Sequence, residues 1–174
     1  MCIRDSFGAA LAAGDFNSDG DVDLAVGVPG ENNGQGRVHI LYSFGSNGLI
    51  NSTSGAVDDE FIGQNTAGAD DSAEDGDHFG AALAAGDFDS DGDVDLAVGV
   101  PGEDDAAGAV QIFYSFGATG LVDGGTVDDE FIGQNTNSVE NTSEPNDLFG
   151  AALVAGDFNS DGDVDLAVGV PGEN

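Results

Sequence analysis

Carboxylates at fixed spacing are the residues with evident chemistry. Asp15-Phe16-Asn17-Ser18-Asp19-Gly20-Asp21-Val22-Asp23 places oxygen side chains at loop positions one, three, five and nine, with Gly at six. The nonapeptide returns with one change, Asn17 becoming Asp89, at Asp87, Asp89, Asp91, Asp93 and Asp95, and unchanged at Asp157, Asn159, Asp161, Asp163 and Asp165. A hard cation such as Ca²⁺ takes six to eight oxygens at roughly 2.3–2.6 Å, and alternating side chains in a tight turn converge on one point. Position seven (Asp21, Asp93, Asp163) would contribute its backbone carbonyl, and the Gly permits the sharp bend. Without a cation, so many carboxylates at close range repel one another. Mg²⁺ fits less well because it prefers to keep several waters. No Cys or His lies near enough to suggest zinc or copper. The plain alternative is an acidic turn in solvent, but three such loops at matching positions favour up to three bound Ca²⁺. An EF-hand loop would need an acid at position twelve and a following helix. Position twelve here is Val26, Val98 or Val168, inside a strand pattern.

The elements that must hold these loops recur with them. Phe7 to Glu31 reappears at Phe79 to Glu103 and at Phe149 to Glu173, with one change each time. Val38 to Gly45 corresponds to Val110 to Gly117, and Asp58 to Thr66 recurs unchanged at Asp128 to Thr136. The units are therefore 7–78, 79–148 and a shortened 149–174, parts of one domain. Met1 to Arg4 resemble nothing in the other units, and residues 1–6 read as a remnant outside the native protein. A third unit cut within its own motif reads as a piece of a longer chain. Inside a unit the apolar period is two: Phe7, Ala9, Leu11, Ala13; then Leu24, Val26, Val28; then Val38, Ile40, Tyr42, Phe44. These are strand signatures, and Pro29 argues against helix. Phe61-Ile62-Gly63-Gln64 supplies a weaker fourth strand. Four antiparallel strands per unit, repeated radially, predict an all-β protein of β-propeller blades, with the Gly/Ala-rich first strand near the axis.

Composition narrows the partners. Asp and Glu number 34 against 2 Lys and Arg, a formal charge of −32. Nucleic acid needs a basic face, so it is excluded, and an anionic membrane surface is disfavoured. No apolar run is long enough for a membrane span, so direct insertion is not expected. One Cys makes no intrachain disulfide. Three Ca²⁺ would leave most of the charge in place, and the remainder points to a saline setting.

The string FG…GD-x-[ND]-x-D-G-x-x-D-L-x-V-G-x-P resembles the FG-GAP repeat of the integrin alpha-chain N-terminal β-propeller. Phe7-Gly8, Phe79-Gly80 and Phe149-Gly150 match its first element. Gly27-Val28-Pro29, Gly99-Val100-Pro101 and Gly169-Val170-Pro171 match its second, with Val for Ala. The resemblance implies a seven-bladed propeller, calcium in hairpin loops on one face and partner binding on the other. Its side-chain ligands fall on Asp15, Asn17, Asp19 and Asp23, on Asp87, Asp89, Asp91 and Asp95, and on Asp157, Asn159, Asp161 and Asp165. About two and a half repeats cannot close a ring, so further repeats of the parent protein are expected as partners.

The functional expectation is a secreted or cell-surface calcium-binding module for adhesion, taking a protein or glycan ligand, with calcium structural and no catalysis. The alternatives are an accessory propeller of a secreted hydrolase or lyase, or an architectural segment. His39 aligns with Gln111 and His78 with Leu148, so neither reads as a site residue. Phe16, Phe88 and Phe158 read as inward anchors of the loops, and Tyr42, Phe44, Tyr114 and Phe116 as core. Asn51-Ser52-Thr53 and Asn141-Thr142-Ser143 match the N-glycosylation pattern. The runs 70–77 and 58–60 could bind more cation but read by default as a solvated face, and the loops 67–78 and 137–148 read as solvated.

Overall fold

The computed structural model describes residues 6–43, 45, 48–49, 59–123, 125–136, 139 and 142–173. Met1–Arg4, Phe44, Asn51–Thr53, Asp58 and Asn141 lie outside them. Each of the first two units folds into a four-stranded antiparallel sheet in chain order. The first sheet is β1 (Leu11–Gly14), β2 (Asp23–Gly27), β3 (Val38–Leu41) and β4 (Asp59–Ile62). The second is β5 (Ala82–Gly86), β6 (Asp95–Val100), β7 (Ala109–Tyr114) and β8 (Asp128–Ile132). β9 (Ala152–Gly156) and β10 (Asp165–Gly169) begin a third. These are propeller blades, as the period-two pattern predicts. β1 lies against β5 and β5 against β9, so the small-residue first strands face one another between sheets.

Equivalent residues hold equivalent ladder positions. Leu11, Val26, His39 and Phe61 form one row across the first sheet; Leu83, Val98, Gln111 and Phe131 form the same row in the second. Apolar side chains from facing sheets fill the space between blades. One cluster joins Phe16, Val38, Ile40 and Ile62 to Phe79, Leu96, Val98 and Phe113. A second joins Ala97, Val110 and Ile112 to Phe149, Leu153 and Leu166. β6 has neighbours on both faces and is buried at every position.

Four expectations are corrected, three of them within the blades. The Phe-Gly pair does not begin the first strand. Residues 7–10 form a turn, and β1 starts at Leu11. The Phe instead docks on the preceding blade: Phe79 pairs with Gly36 and Phe149 with Gly108 in parallel bridges. Gly80 and Gly150, at φ +85° and +86°, bring their carbonyls so close to Gly27 and Gly99 that a Cβ there would stand 2.1 Å from oxygen. Second, the acidic run before Phe61 is not simply solvated. Asp59 and Glu60 belong to the outer strand β4, and Tyr42 donates to Glu60 at 2.9 Å. Charge on an outer strand is an ordinary guard against edge-to-edge pairing. Third, Phe116 is 38% exposed, because β7 ends at Tyr114 and the chain turns into a 3₁₀ segment at Gly117–Thr119.

The linkers between blades also depart from a solvated loop. Asp77 and Asp147 are buried, and each carboxylate accepts a backbone N–H three residues back, from Glu74 and Glu144. Their carbonyls accept from Gly102 and Gly172 of the next blade, both at 2.9 Å.

Candidate metal centre

The acidic nonapeptide is the hairpin connecting the first two strands of each unit, and its backbone is shaped by its own carboxylates. In the first loop Asp15 accepts the N–H of Asp19 at 3.0 Å and of Gly20 at 2.9 Å. Asp19 accepts from Asp21 at 2.9 Å. Asp87 and Asp91 repeat these bonds in the second loop, and Asp157 and Asp161 in the third. The Gly at position six holds φ of +93°, +99° and +102° in the three loops, a region that side chains resist. Position nine closes the loop. Asp23 accepts from Phe16 N–H at 2.9 Å and Ser43 N–H at 2.7 Å; Asp95 does the same with Phe88 and Ser115. In the third loop Asp165 accepts from Phe158.

In the second loop Asp87, Asp89 and Asp95 bring one carboxylate oxygen each to within 4.8 Å of one another. Asp91 lies outside that triple. Asp93 does not turn inward with its side chain: its Oδ1 accepts the Ser18 hydroxyl of the preceding loop. Ser90 donates likewise to Asp163 at 3.0 Å. Consecutive loops are therefore fastened side by side at one end of the blades. Asp21 lies in the first loop, with no preceding loop in this chain. In the first and third loops an Asn carbonyl, Asn17 and Asn159, stands at position three and accepts from Asp19 and Asp161.

Burial and crowding raise the cost of charge here. Asp95 is 1% exposed, and burial, opposed by its two backbone N–H donors and aided by Asp89 and Asp91, pushes its carboxyl up to about 6. Asp23 moves the same way, first through burial and then through Asp19 and Asp15. Asp89 is raised too, by desolvation foremost and by Asp91 and Asp87. An all-oxygen donor set that costs free energy when metal-free suits a hard divalent ion.

The anchors differ although each is the same residue at loop position two. Phe16 is fully buried, Phe88 half-buried and Phe158 59% exposed, because the covering surface belongs to the following blade. His39 stacks on Phe61 at 4.1 Å and sits 2.6 Å from Asp59, where the second blade has Gln111 bonded to Asp129. That exchange of His for Gln marks a structural pair. A second acidic cluster, Asp71, Glu74 and Glu103, also has ligand atoms within 4.8 Å. The sequence offers the run 70–77, which holds Asp71 and Glu74, as able to bind more cation but by default solvated, and gives no sign that Glu103 joins it. The available signals were the Glu that ends each long repeat (Glu31, Glu103, Glu173) and the recurring Gln64 and Gln134.

Two complete four-strand blades with hairpins of this kind define a propeller repeat module. The FG-GAP repeat model matches residues 7–41, 79–113 and 149–174, and the chain belongs to that family. It is 37% identical to integrin alpha-4 of Xenopus laevis over 62% of this chain and 9% of the relative. It is 32% identical to phosphatidylinositol-glycan-specific phospholipase D of Bos taurus over 94% of this chain and 18% of the relative. Integrin alpha-PS2 of Drosophila melanogaster is 30% identical over 94% of this chain and 10% of the relative. The chain thus spans less than a fifth of the length of these relatives.

Proposed function

We propose that this chain is part of a calcium-stabilised extracellular propeller that binds a protein or glycan, calcium being structural. The observation that carries the reading is the recurrence of one hydrogen-bond pattern in three acidic hairpins, with Asp87, Asp89 and Asp95 gathered in the second. The residues that would hold the ions are Asp15, Asn17, Asp19 and Asp23 and their counterparts in the other two loops. Each ion would offset carboxylate repulsion and fix a hairpin that is itself fastened to the next. The kinship with integrin alpha chains supports adhesion and an extracellular setting.

A test is thermal melting with and without calcium. A site saturated a hundredfold above its dissociation constant adds about 2.7 kcal/mol. Asp91→Ala is expected to remove most of the second loop's share of the calcium-dependent rise in Tm. An unchanged rise would remove that loop from the metal sites.

The match to phosphatidylinositol-glycan-specific phospholipase D favours a second reading, an accessory propeller beside a catalytic region. Hydrolase activity of a longer protein, lost on a substitution within residues 7–174, would support it. Glycan or protein array binding that survives removal of any catalytic region would support the first reading.

A further inference from the structure

The end of each blade opposite its acidic hairpin is built from the turn between the second and third strands and the turn that follows the fourth. In the first blade these turns, with Ala73 of the linker, border a cleft of about 130 Å³ lined by Asn32, Gln35, Arg37, Phe61, Asn65 and Thr66. Its neighbour at the junction of the first two blades has the opposite character. There Gln64 donates to Glu103 at 2.7 Å, and Glu103 shares a cleft with Asp71, Glu74, Asp75 and Asp77. Amides, a hydroxyl, a guanidinium and a ring line the first cleft, whereas carboxylates dominate the second.

The second blade supplies an internal comparison. Phe61 to Thr66 recurs unchanged at Phe131 to Thr136, and Phe7 to Glu31 recurs with one change. Of residues 32–37, by contrast, only Gly36 is kept, as Gly108. Asn32, Asn33, Gly34, Gln35 and Arg37 stand where the second blade has Asp104, Asp105, Ala106, Ala107 and Ala109. Packing accounts for part of this, since Ala107 and Ala109 are buried where Gln35 is half-buried and Arg37 exposed. It does not account for Asn32 and Asn33 against Asp104 and Asp105, all four exposed. Nor does the backbone: Asn32 and Asn33 lie at φ 50° and 63°, Asp104 and Asp105 at 49° and 59°. The exchanges share one direction. Two carboxylates go and a guanidinium is added, so the turn 31–37 is neutral where 103–109 carries three acids. Asp75, beside the turn, accepts from Asn33 Nδ2 at 3.4 Å and from Gln35 Nε2 at 3.3 Å. Among the described residues Arg37 is the only Lys or Arg, and the only ion pair is His39–Asp59. A fixed cation without a carboxylate partner, in a chain of formal charge −32, is available to an anion from outside.

We propose that this cleft binds one carboxylated sugar residue of the uronic-acid class, Arg37 pairing with its carboxylate and Phe61 lying under its ring, which rests on the glycan reading of the proposed function and gives it a place. A guanidinium presents a planar fork that matches a carboxylate through two parallel N–H donors, and its single charge suits a monoanion. Phe61 is 54% exposed and offers an apolar face to the C–H face of a sugar ring. The volume is close to the cavity of about 150 Å³ that takes one six-membered ring in a protein interior. Sugar hydroxyls both donate and accept, and so do the amides of Asn32, Gln35 and Asn65. An acidic peptide would use Arg37 and leave that amide wall idle. A few polar groups around a small concave site are what fix a ligand's orientation.

The test is an NMR titration of the whole chain in calcium, at physiological ionic strength, where the field of distant carboxylates is screened beyond about 8 Å. The probes are methyl glucuronide, methyl glucoside and acetyl-aspartate amide. The glucuronide is expected to shift the amide signals of residues 32–37 and 61–66, and the glucoside to bind about tenfold more weakly. Arg37→Gln, a change at an exposed side chain, should weaken glucuronide binding by about tenfold. Asn32→Asp with Asn33→Asp installs residues that the second turn carries on the same backbone, so it should weaken binding while leaving Tm unchanged. A glucuronide that shifts nothing at the cleft overturns the proposal. So does equal affinity for glucuronide and glucoside, or for glucuronide and acetyl-aspartate amide, and so does an affinity that neither variant alters. Glycan-array binding that Arg37→Gln leaves intact overturns this site and leaves the proposed function standing. Shifts at the cleft from a protein that binds nothing on glycan or protein arrays support the site and count against the wider reading.

Discussion

Asp95 and Glu103 are buried carboxylates whose charged forms are disfavoured when no metal is bound. Asp95 is pushed up to about 6, and Glu103 to about 8 by burial first and then by Asp71 and Asp77. Over the interval between the ordinary carboxylate value and these raised values, the folded chain holds protons that the unfolded chain has released. Stability therefore falls as pH rises through that interval. The metal-free protein is expected to lose Tm steadily between about pH 4 and pH 8 and to level off above. Calcium bound as proposed would compete with those protons, so the calcium-dependent gain should be larger at pH 8 than at pH 5, checked by paired melts. Glu103→Gln should flatten the upper part of the metal-free profile. Ala106 carries a different strain: it sits at φ +64°, in the turn where the first blade has Gly34. Left-handed backbone costs an L-residue about 1–2 kcal/mol, part of which Gly returns through its freer unfolded chain. Ala106→Gly is expected to stabilise by about 0.5–1 kcal/mol net in urea unfolding.

Each element is anchored by a contact outside itself. The Phe-Gly turn of one unit lies over the second strand of the preceding unit, and the turn that follows that strand receives it. His78 and Phe79 donate to Gly34 and Gln35; Leu148 and Phe149 donate to Ala106 and Ala107. The receiving turns are left-handed at Asn32 and Asn33 and at Asp104 and Asp105, residue types that tolerate that backbone best after Gly. Gly99→Ala would set a methyl 2.1 Å from the Gly150 carbonyl, against backbone that has little room to yield. It is expected to cost about 1–3 kcal/mol and to loosen the third unit first. Hydrogen exchange should show protection lost at β9 and β10 before β7. Equal loss throughout would mean that the turn does not hold the junction.

At the scale of the molecule, neighbours decide what a residue contributes. Phe7 is 64% exposed and Phe79 fully buried, although both begin the same repeat. Phe79 packs edge-on against Phe113 at 5.8 Å and joins the cluster between the first two blades. Phe79→Ala is expected to cost about 3–5 kcal/mol, and Phe7→Ala within about 0.5 kcal/mol, in parallel denaturant titrations. Leu11 at one flank and Val154 at the other are exposed where the inner blade buries Leu83 and Ala84, and Val22 and Phe158 are exposed where its Val94 and Phe88 are half-buried. The surfaces left open are those that blades cover for one another, in keeping with the nearest-neighbour stability of repeat arrays.

Period-two strands, the unit length and the acidic hairpins were legible because they are written in consecutive residues and repeated. Local backbone rules turn such patterns into strands and tight turns without help from distant parts of the chain. The start of β1, the outer strand's acidic entry and the Gln64–Glu103 contact were not legible, because each depends on residues tens of positions away. Asp-Leu-Ala-Val-Gly shows the division most plainly. The same five letters form β2, the first five residues of β6, and β10, yet only in β6 are all five buried. Sequence alone made all three of them strands. Which faces went dry was decided by the blades that stand on either side, since burial is a property of what packs against a strand and not of the strand itself.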